Sequence, residues 1–114
     1  MREGEVMGKR DASAKHLPLT EPTYYIMLAL TRPLHGYAVM QRVEELSRGT
    51  VKVGPGTLYG AFVTLERGKL IHKVGEKGRR KVYALTPLGS RVLEAHGERL
   101  RTMARAGSEA RSRR

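Results

Sequence analysis

Tyr24 to Leu30 is an unbroken apolar run, and it constrains this chain of 114 residues more than any other feature. Thr20 offers an N-cap oxygen just before it, and Pro22 suits a first helical turn, where a missing N–H costs nothing. The run therefore reads as a helix. A helix on the surface of a small domain keeps one wet face, and this one has none. It is either central or covered by another subunit, and in so short a chain cover by a second copy is the expectation. The run is too short to span a bilayer, so no membrane segment is expected.

Four more elements follow. Tyr37, Val39, Met40, Val43 and Leu46 recur at helical spacing and predict a second helix from Gly36 to Ser47. Gly54, Pro55 and Gly56 open a third, in which Leu58, Ala61, Phe62 and Leu65 share the inward face. Its outward face carries Gly56, Tyr59, Gly60, Val63, Thr64 and Arg67, small and nearly uncharged. Gly60 inside a helix costs about 1 kcal/mol relative to Ala, so close approach to another surface is the expected compensation. Ile71–Val74 and Lys81–Leu85 are β-type runs around Gly75-Glu76-Lys77-Gly78-Arg79-Arg80, a hairpin with a basic tip. Thr86 then caps a last helix with Pro87 in its first turn, and Leu88, Val92, Leu93, His96, Leu100 and Met103 form its apolar stripe.

Helix, helix, helix, hairpin, helix is the order of a winged helix-turn-helix, in which the third helix can enter a major groove and the hairpin can reach the adjacent backbone. The expected fold class is mainly α with a small β-hairpin, completed by a C-terminal dimerisation helix. The expected divisions are a flexible tail over 1–18, the winged helix-turn-helix over 19–86, the dimerisation helix over 87–106 and a basic tail over 107–114.

Charge agrees with a polyanionic partner. The net charge is +11 and the pI near 10.6, and the excess is concentrated rather than spread. Lys69, Lys73, Lys77, Arg79, Arg80 and Lys81 stand against Glu76 alone in the hairpin segment, and Arg residues recur through the C-terminal part. Cys is absent, which excludes disulfides and thiolate metal sites. His16, His35, His72 and His96 show no pair at three- or four-residue spacing, so neither a metal nor a cofactor is expected. No catalytic constellation stands out, and Gly54-Pro55-Gly56 lacks the lysine of a phosphate loop, so an enzyme is not expected. The N-terminal stretch lacks the apolar segment of a secretory signal, which makes the cytoplasm the expected compartment.

Four segments carry a resemblance: His35-Gly36-Tyr37, Val53-Gly54-Pro55-Gly56-Thr57-Leu58-Tyr59, Leu70-Ile71, and Gly78-Arg79-Arg80-Lys81-Val82-Tyr83-Ala84-Leu85-Thr86. Together they resemble the PadR family of transcriptional regulators over about residues 19–100. The resemblance implies a dimer that binds double-stranded DNA, usually as a repressor. It implies first and last helices that exchange contacts between subunits, and in some members release by a small, often aromatic, effector. Lys69 is a small departure from the pattern, giving Gly-Lys-Leu where Glu-Gly-Leu is common.

The residues then take roles. Phosphate contacts are expected from Tyr37, from the free amides and the Thr57 and Tyr59 hydroxyls at the start of the third helix, where Pro55 and Gly56 permit close approach, and from Lys77, Arg79 and Lys81, with Arg80 ranked last of the wing cations by strand alternation. Gly60, Thr64 and Arg67, with Val63, face the bases. Tyr24, Met27, Leu28, Leu88, Val92, His96, Leu100 and Met103 are the expected dimer surface. His35 is expected to hold the turn before the second helix. The competing reading is a basic structural binder of nucleic acid without sequence choice, which would not require the small uncharged face of the third helix.

Overall fold

The computed structural model of the protein describes residues 13–113. Besides the helical Ser13 and Ala14, the described residues form four helices, α1 (Glu21–Ala29), α2 (Gly36–Leu46), α3 (Pro55–Arg67) and α4 (Pro87–Ser112), and a sheet of three strands, β1 (Leu34–His35), β2 (Ile71–Lys77) and β3 (Arg80–Leu85). The caps are those the residue types dictate. The Thr20 hydroxyl accepts the Thr23 N–H at 3.3 Å, His35 Nδ1 accepts the Ala38 N–H at 3.4 Å, and Thr86 Oγ1 accepts the Gly89 N–H at 3.0 Å. His35 thus holds the start of α2.

The strands pair antiparallel in the order β1-β3-β2. The hairpin is longer than the alternation of apolar residues predicts. Glu76 lies opposite Lys81 and Lys77 opposite Arg80, which leaves only Gly78 and Arg79 as the turn. Gly78 sits at φ +65° in the first turn position, where a two-residue hairpin of this kind needs glycine. Leu34 and His35 add the short third strand by pairing with Tyr83 and Val82, a pairing too short to leave a periodic trace in the sequence.

The core gathers Ile26, Met27, Leu30, Val39, Val43, Leu58, Phe62, Leu65, Ile71 and Val92. The expectation that a second copy covers the apolar first helix is corrected here. Ile26, Met27 and Leu30 are fully covered within the protomer, because α1 packs against both α2 and α4. Tyr24, Tyr25 and Leu28 remain half-buried.

Both proposed tails are also revised where the structure describes them. Ser13 and Ala14 are helical, Leu17 packs against the core, and the His16 ring lies over Gly68. The rest of the expected N-terminal tail, residues 1–12, lies outside the described residues. At the other end α4 continues to Ser112, past the expected limit at residue 106. Ala104, Arg105, Ala106, Glu109, Ala110 and Arg111 are good helix formers, and they outweigh Gly107.

Two junctions lock α3, the hairpin and α4 together. At the end of α3 the Lys69 backbone takes the left-handed region at φ +63°, while the Leu70 N–H bonds Leu65 O at 2.9 Å and the Lys69 N–H bonds Glu66 O at 3.0 Å. The Thr86 hydroxyl donates to Lys69 O at 2.6 Å, and the Thr86 N–H bonds Leu70 O at 3.0 Å. The first turn of α4 thereby lies so close to the Leu70 backbone that a Cβ at Gly89 would overlap the Leu70 carbonyl. Gly89→Ala is expected to lower stability by about 1–3 kcal/mol through this overlap. Gly60→Ala, whose added carbon meets nothing within 4 Å, is expected to raise it by about 1 kcal/mol. Urea denaturation of the two variants checks both signs.

Candidate nucleic-acid interface

The buried stripe of α3 decides what the helix shows. Leu58, Phe62 and Leu65 are taken by the core, and the Phe62 ring lies 4.9 Å from that of Tyr83 on β3. Gly56, Thr57, Tyr59, Gly60, Val63, Thr64 and Arg67 are therefore turned outward, and all are exposed. The start of α3 has no side-chain cap, since Gly54 occupies that position. The first amide to bond within the helix is that of Leu58, to Gly54 O at 2.9 Å. The Gly56 and Thr57 amides precede it, and together with the positive end of the helix dipole they suit an anion. Pro55 has no N–H to offer and shapes the turn.

A groove of 570 Å³ runs between this helix, the start of α2 and the hairpin. Tyr37, Pro55, Tyr59, Val63, Arg80 and Lys81 are among the residues that line it. The groove also includes Arg79 and, at its floor, the ring of Phe62. Tyr37 and Tyr59 stand 56% and 73% exposed, which settles whether they merely finish the core: they do not.

The wing cations are arranged differently from the simple strand alternation. Arg80, ranked last by that reasoning, lies against α2. Its guanidinium carbon is 6.0 Å from the Tyr37 ring centroid and its Nη1 is 3.4 Å from His35 Nε2. His35 Nδ1 already takes the Ala38 N–H, and Arg80 lies near the Tyr37 ring with no carboxylate partner among the described residues. Lys77 lies opposite Arg80 in the hairpin, and it is not among the groove's lining residues. Lys73 and Glu76 neutralise each other at 2.9 Å, and this bond holds the Glu76 carboxyl below its ordinary pKa. Lys77, Arg79, Arg80 and Lys81 have no ion pair among the described residues.

The other expected surface is divided by burial. Met27 and Val92 are fully buried in the protomer's own core and have no area left for a partner, so their expected place in the dimer surface is corrected. Leu88 is half-buried against that core. Tyr24 and Leu28 line a shallow groove of 490 Å³ between α1 and α4, with Leu93, Gly97 and Arg101. Leu100 and Met103 are 38% and 67% exposed. The buried residues of α4 end at His96, so its second half leaves the domain. At 1.5 Å per residue the whole helix is about 39 Å long.

His96 is the hinge of this division. It is buried, its ring is tilted against that of Tyr24 at 5.1 Å, and its Nδ1 accepts the Leu19 N–H at 3.3 Å. Burial first, and the nearby Arg99 charge second, lower its pKa. The folded protein therefore keeps His96 neutral, while the unfolded chain takes up the proton first. The expected result is a loss of stability as pH falls through about 6.5, the ordinary imidazole value, toward the lower folded value, with the full contribution present above it. Thermal unfolding at about pH 7.5 and about pH 5.5 measures the slope. His96→Gln, whose amide oxygen can take the Leu19 N–H, is expected to flatten it.

No helix among the described residues is long and apolar enough to cross a membrane, and no cluster among them could hold a metal ion. A three-helix core with a helix presented beside a basic hairpin defines the winged-helix class. The family model of the "Transcriptional regulator PadR-like family" matches residues 26–95. The chain belongs to the PadR family of transcriptional regulators. It is 45% identical over 62 residues to an uncharacterized 37.1 kDa protein in transposon TN4556 of Streptomyces fradiae, covering 54% of this chain and 17% of that one. It is 33% identical over 66 residues to the transcriptional regulator YqjI of Escherichia coli, covering 58% of this chain and 32% of that one. The chain thus spans a third or less of these relatives' length. A PadR family transcription regulator from Clostridium difficile superposes with a TM-score of 0.69 at 24% identity, over 79% of this chain and 97% of that one.

Proposed function

We propose that the protein binds a palindromic DNA operator as a homodimer and acts as a cytoplasmic repressor. The observation that carries this reading is the shared groove. It joins Tyr59 and Val63 of the nearly uncharged outward face of α3, the exposed ring of Tyr37, and Arg79, Arg80 and Lys81 of the wing, which have no ion pair among the described residues. In this reading α3 enters the major groove with Gly60, Val63, Thr64 and Arg67 toward the base edges. The Gly56 and Thr57 amides, with the Tyr37 and Tyr59 hydroxyls, take phosphate oxygens on one strand. Arg79, Arg80 and Lys81 reach the backbone beside it, and Lys77, which does not line the groove, adds long-range attraction.

The free second half of α4 supports the dimer. Leu100 and Met103 stand exposed beyond the domain, while Tyr24, Leu28, Leu93 and Gly97 border the groove between α1 and α4. Crossing two such helices about a two-fold axis covers both surfaces. A symmetric pair also presents two α3 helices to half-sites about 34 Å apart, one turn of B-form DNA. Release by a small aromatic ligand belongs to the same reading, since a ligand that favours another spacing of the two α3 helices lowers operator affinity.

Three measurements test it. Replacing Arg79, Arg80 and Lys81 with Gln is expected to weaken binding to every duplex and to flatten the dependence of log K on log salt by about 1 for each phosphate that the variant no longer neutralises. Competition against scrambled duplex at fixed salt then separates operator recognition from bulk charge binding: equal affinity for both would replace this reading with a basic binder that does not choose sequence. Leu100→Glu with Met103→Glu is expected to give monomers in sedimentation and reduced operator affinity, and an intact dimer would refute the α4 interface.

A further inference from the structure

We propose that Val63 reads the 5-methyl group of a thymine in the operator, which makes it a specificity-determining residue of the α3 face. The inference rests on the operator-binding reading above and adds the base chemistry that the face selects. Val63 is 50% exposed on the side of α3 toward the wing, one turn beyond Tyr59, and it lines the same groove as Tyr37 and Arg80. An isolated exposed valine needs no explanation. Here three of the large exposed apolar side chains, Tyr37, Tyr59 and Val63, gather at one groove with cations at its edge. Such a patch marks a surface that meets something else.

What Val63 can meet follows from its chemistry. Its side chain neither donates nor accepts a hydrogen bond. Pressed against a base edge that ends in N–H or C=O, it would leave that polar atom without a partner. On the major-groove side only thymine presents an apolar group, the 5-methyl. The neighbours of Val63 make the methyl reachable. An added Cβ at Gly56 or Gly60 would meet nothing within 4 Å, so neither glycine serves packing inside the protein, and both leave the helix backbone free to come close to the bases. From Gly56 to Thr64 the outward face carries no guanidinium and no carboxamide that could read guanine or adenine by a two-bond fork. Apolar contact and single hydroxyl bonds from residues such as Thr64 are the readout left to it, and for Val63 only the former is open.

The test uses the whole chain and a duplex selected by it from a random pool. Each thymine of that duplex is replaced in turn by deoxyuridine, which removes the methyl and nothing else. The wild-type protein is expected to lose about fourfold in affinity at one thymine of each half-site, the worth of one buried carbon. Val63→Ala is expected to bind more weakly and to be indifferent to that same methyl. Its melting temperature reports that the half-exposed site leaves the fold intact. If every deoxyuridine is neutral for the wild type while the selected duplex still outcompetes a scrambled one, the assignment to Val63 is overturned and operator binding stands. If Val63→Ala remains as sensitive to the methyl as the wild type, another residue reads it and the assignment is again overturned. If no sequence emerges from the pool, the operator reading itself fails and takes this inference with it.

Discussion

The burial of Leu58, Phe62 and Leu65 is the constraint on which the rest of the molecule depends. These three residues take one side of α3 into the core, so helical geometry leaves Gly56, Gly60, Val63, Thr64 and Arg67 no direction but outward. The packing of Phe62 on Tyr83 then couples the helix to β3, and through β3 to the wing. Where α3 faces and where the cations stand are therefore one decision. A hairpin that packed elsewhere would carry the same charges to a different side.

The two ends of the domain follow from how close backbones come. Thr86 ties the entry of α4 to the exit of α3 by bonding both Lys69 O and the Gly89 amide. Gly89 lets α4 lie directly on the Leu70 carbonyl. From that start α4 buries Val92, Leu93 and His96 and then runs free. One helix thus serves two tasks in sequence. Its first turns close the core against α1, and its later turns offer an apolar stripe to whatever lies beyond the protomer. The partly buried hydrogen bond from the Leu19 amide to His96 marks the boundary.

Electrostatics and shape are kept apart on the groove. The α3 face is nearly uncharged, whereas Lys77, Arg79, Arg80 and Lys81 of the wing have no ion pair among the described residues. The one acidic residue of the hairpin is neutralised by Lys73, so it does not cancel the cations that line the groove. The Arg80 guanidinium lies near the Tyr37 ring and His35 and has no carboxylate partner among the described residues. Cations that are positioned but not satisfied suit a partner that brings its own oxygen atoms.

The sequence by itself determined the order of the four main helices and the hairpin, the caps at Thr20 and Thr86, and the residues on each helix face, because Thr20, Pro22, Pro55, Thr86 and Pro87 act locally and helical periodicity needs no tertiary partner. The motifs around His35, Pro55 and Tyr83 also made the family legible. Only the tertiary structure decided how α1 is covered, and it did so within the protomer, since neighbours on α2 and α4 cannot be read from an apolar run alone. The same holds for Arg80. Strand alternation ranks it last among the wing cations, but the register of a two-residue turn and the position of α2 bring it to Tyr37. Met27 lies in a run that is apolar all round and Val92 on a stripe that periodicity selects, and neither pattern can say whether an apolar surface faces its own core or another subunit. That choice belongs to packing, which depends on residues far apart in the chain.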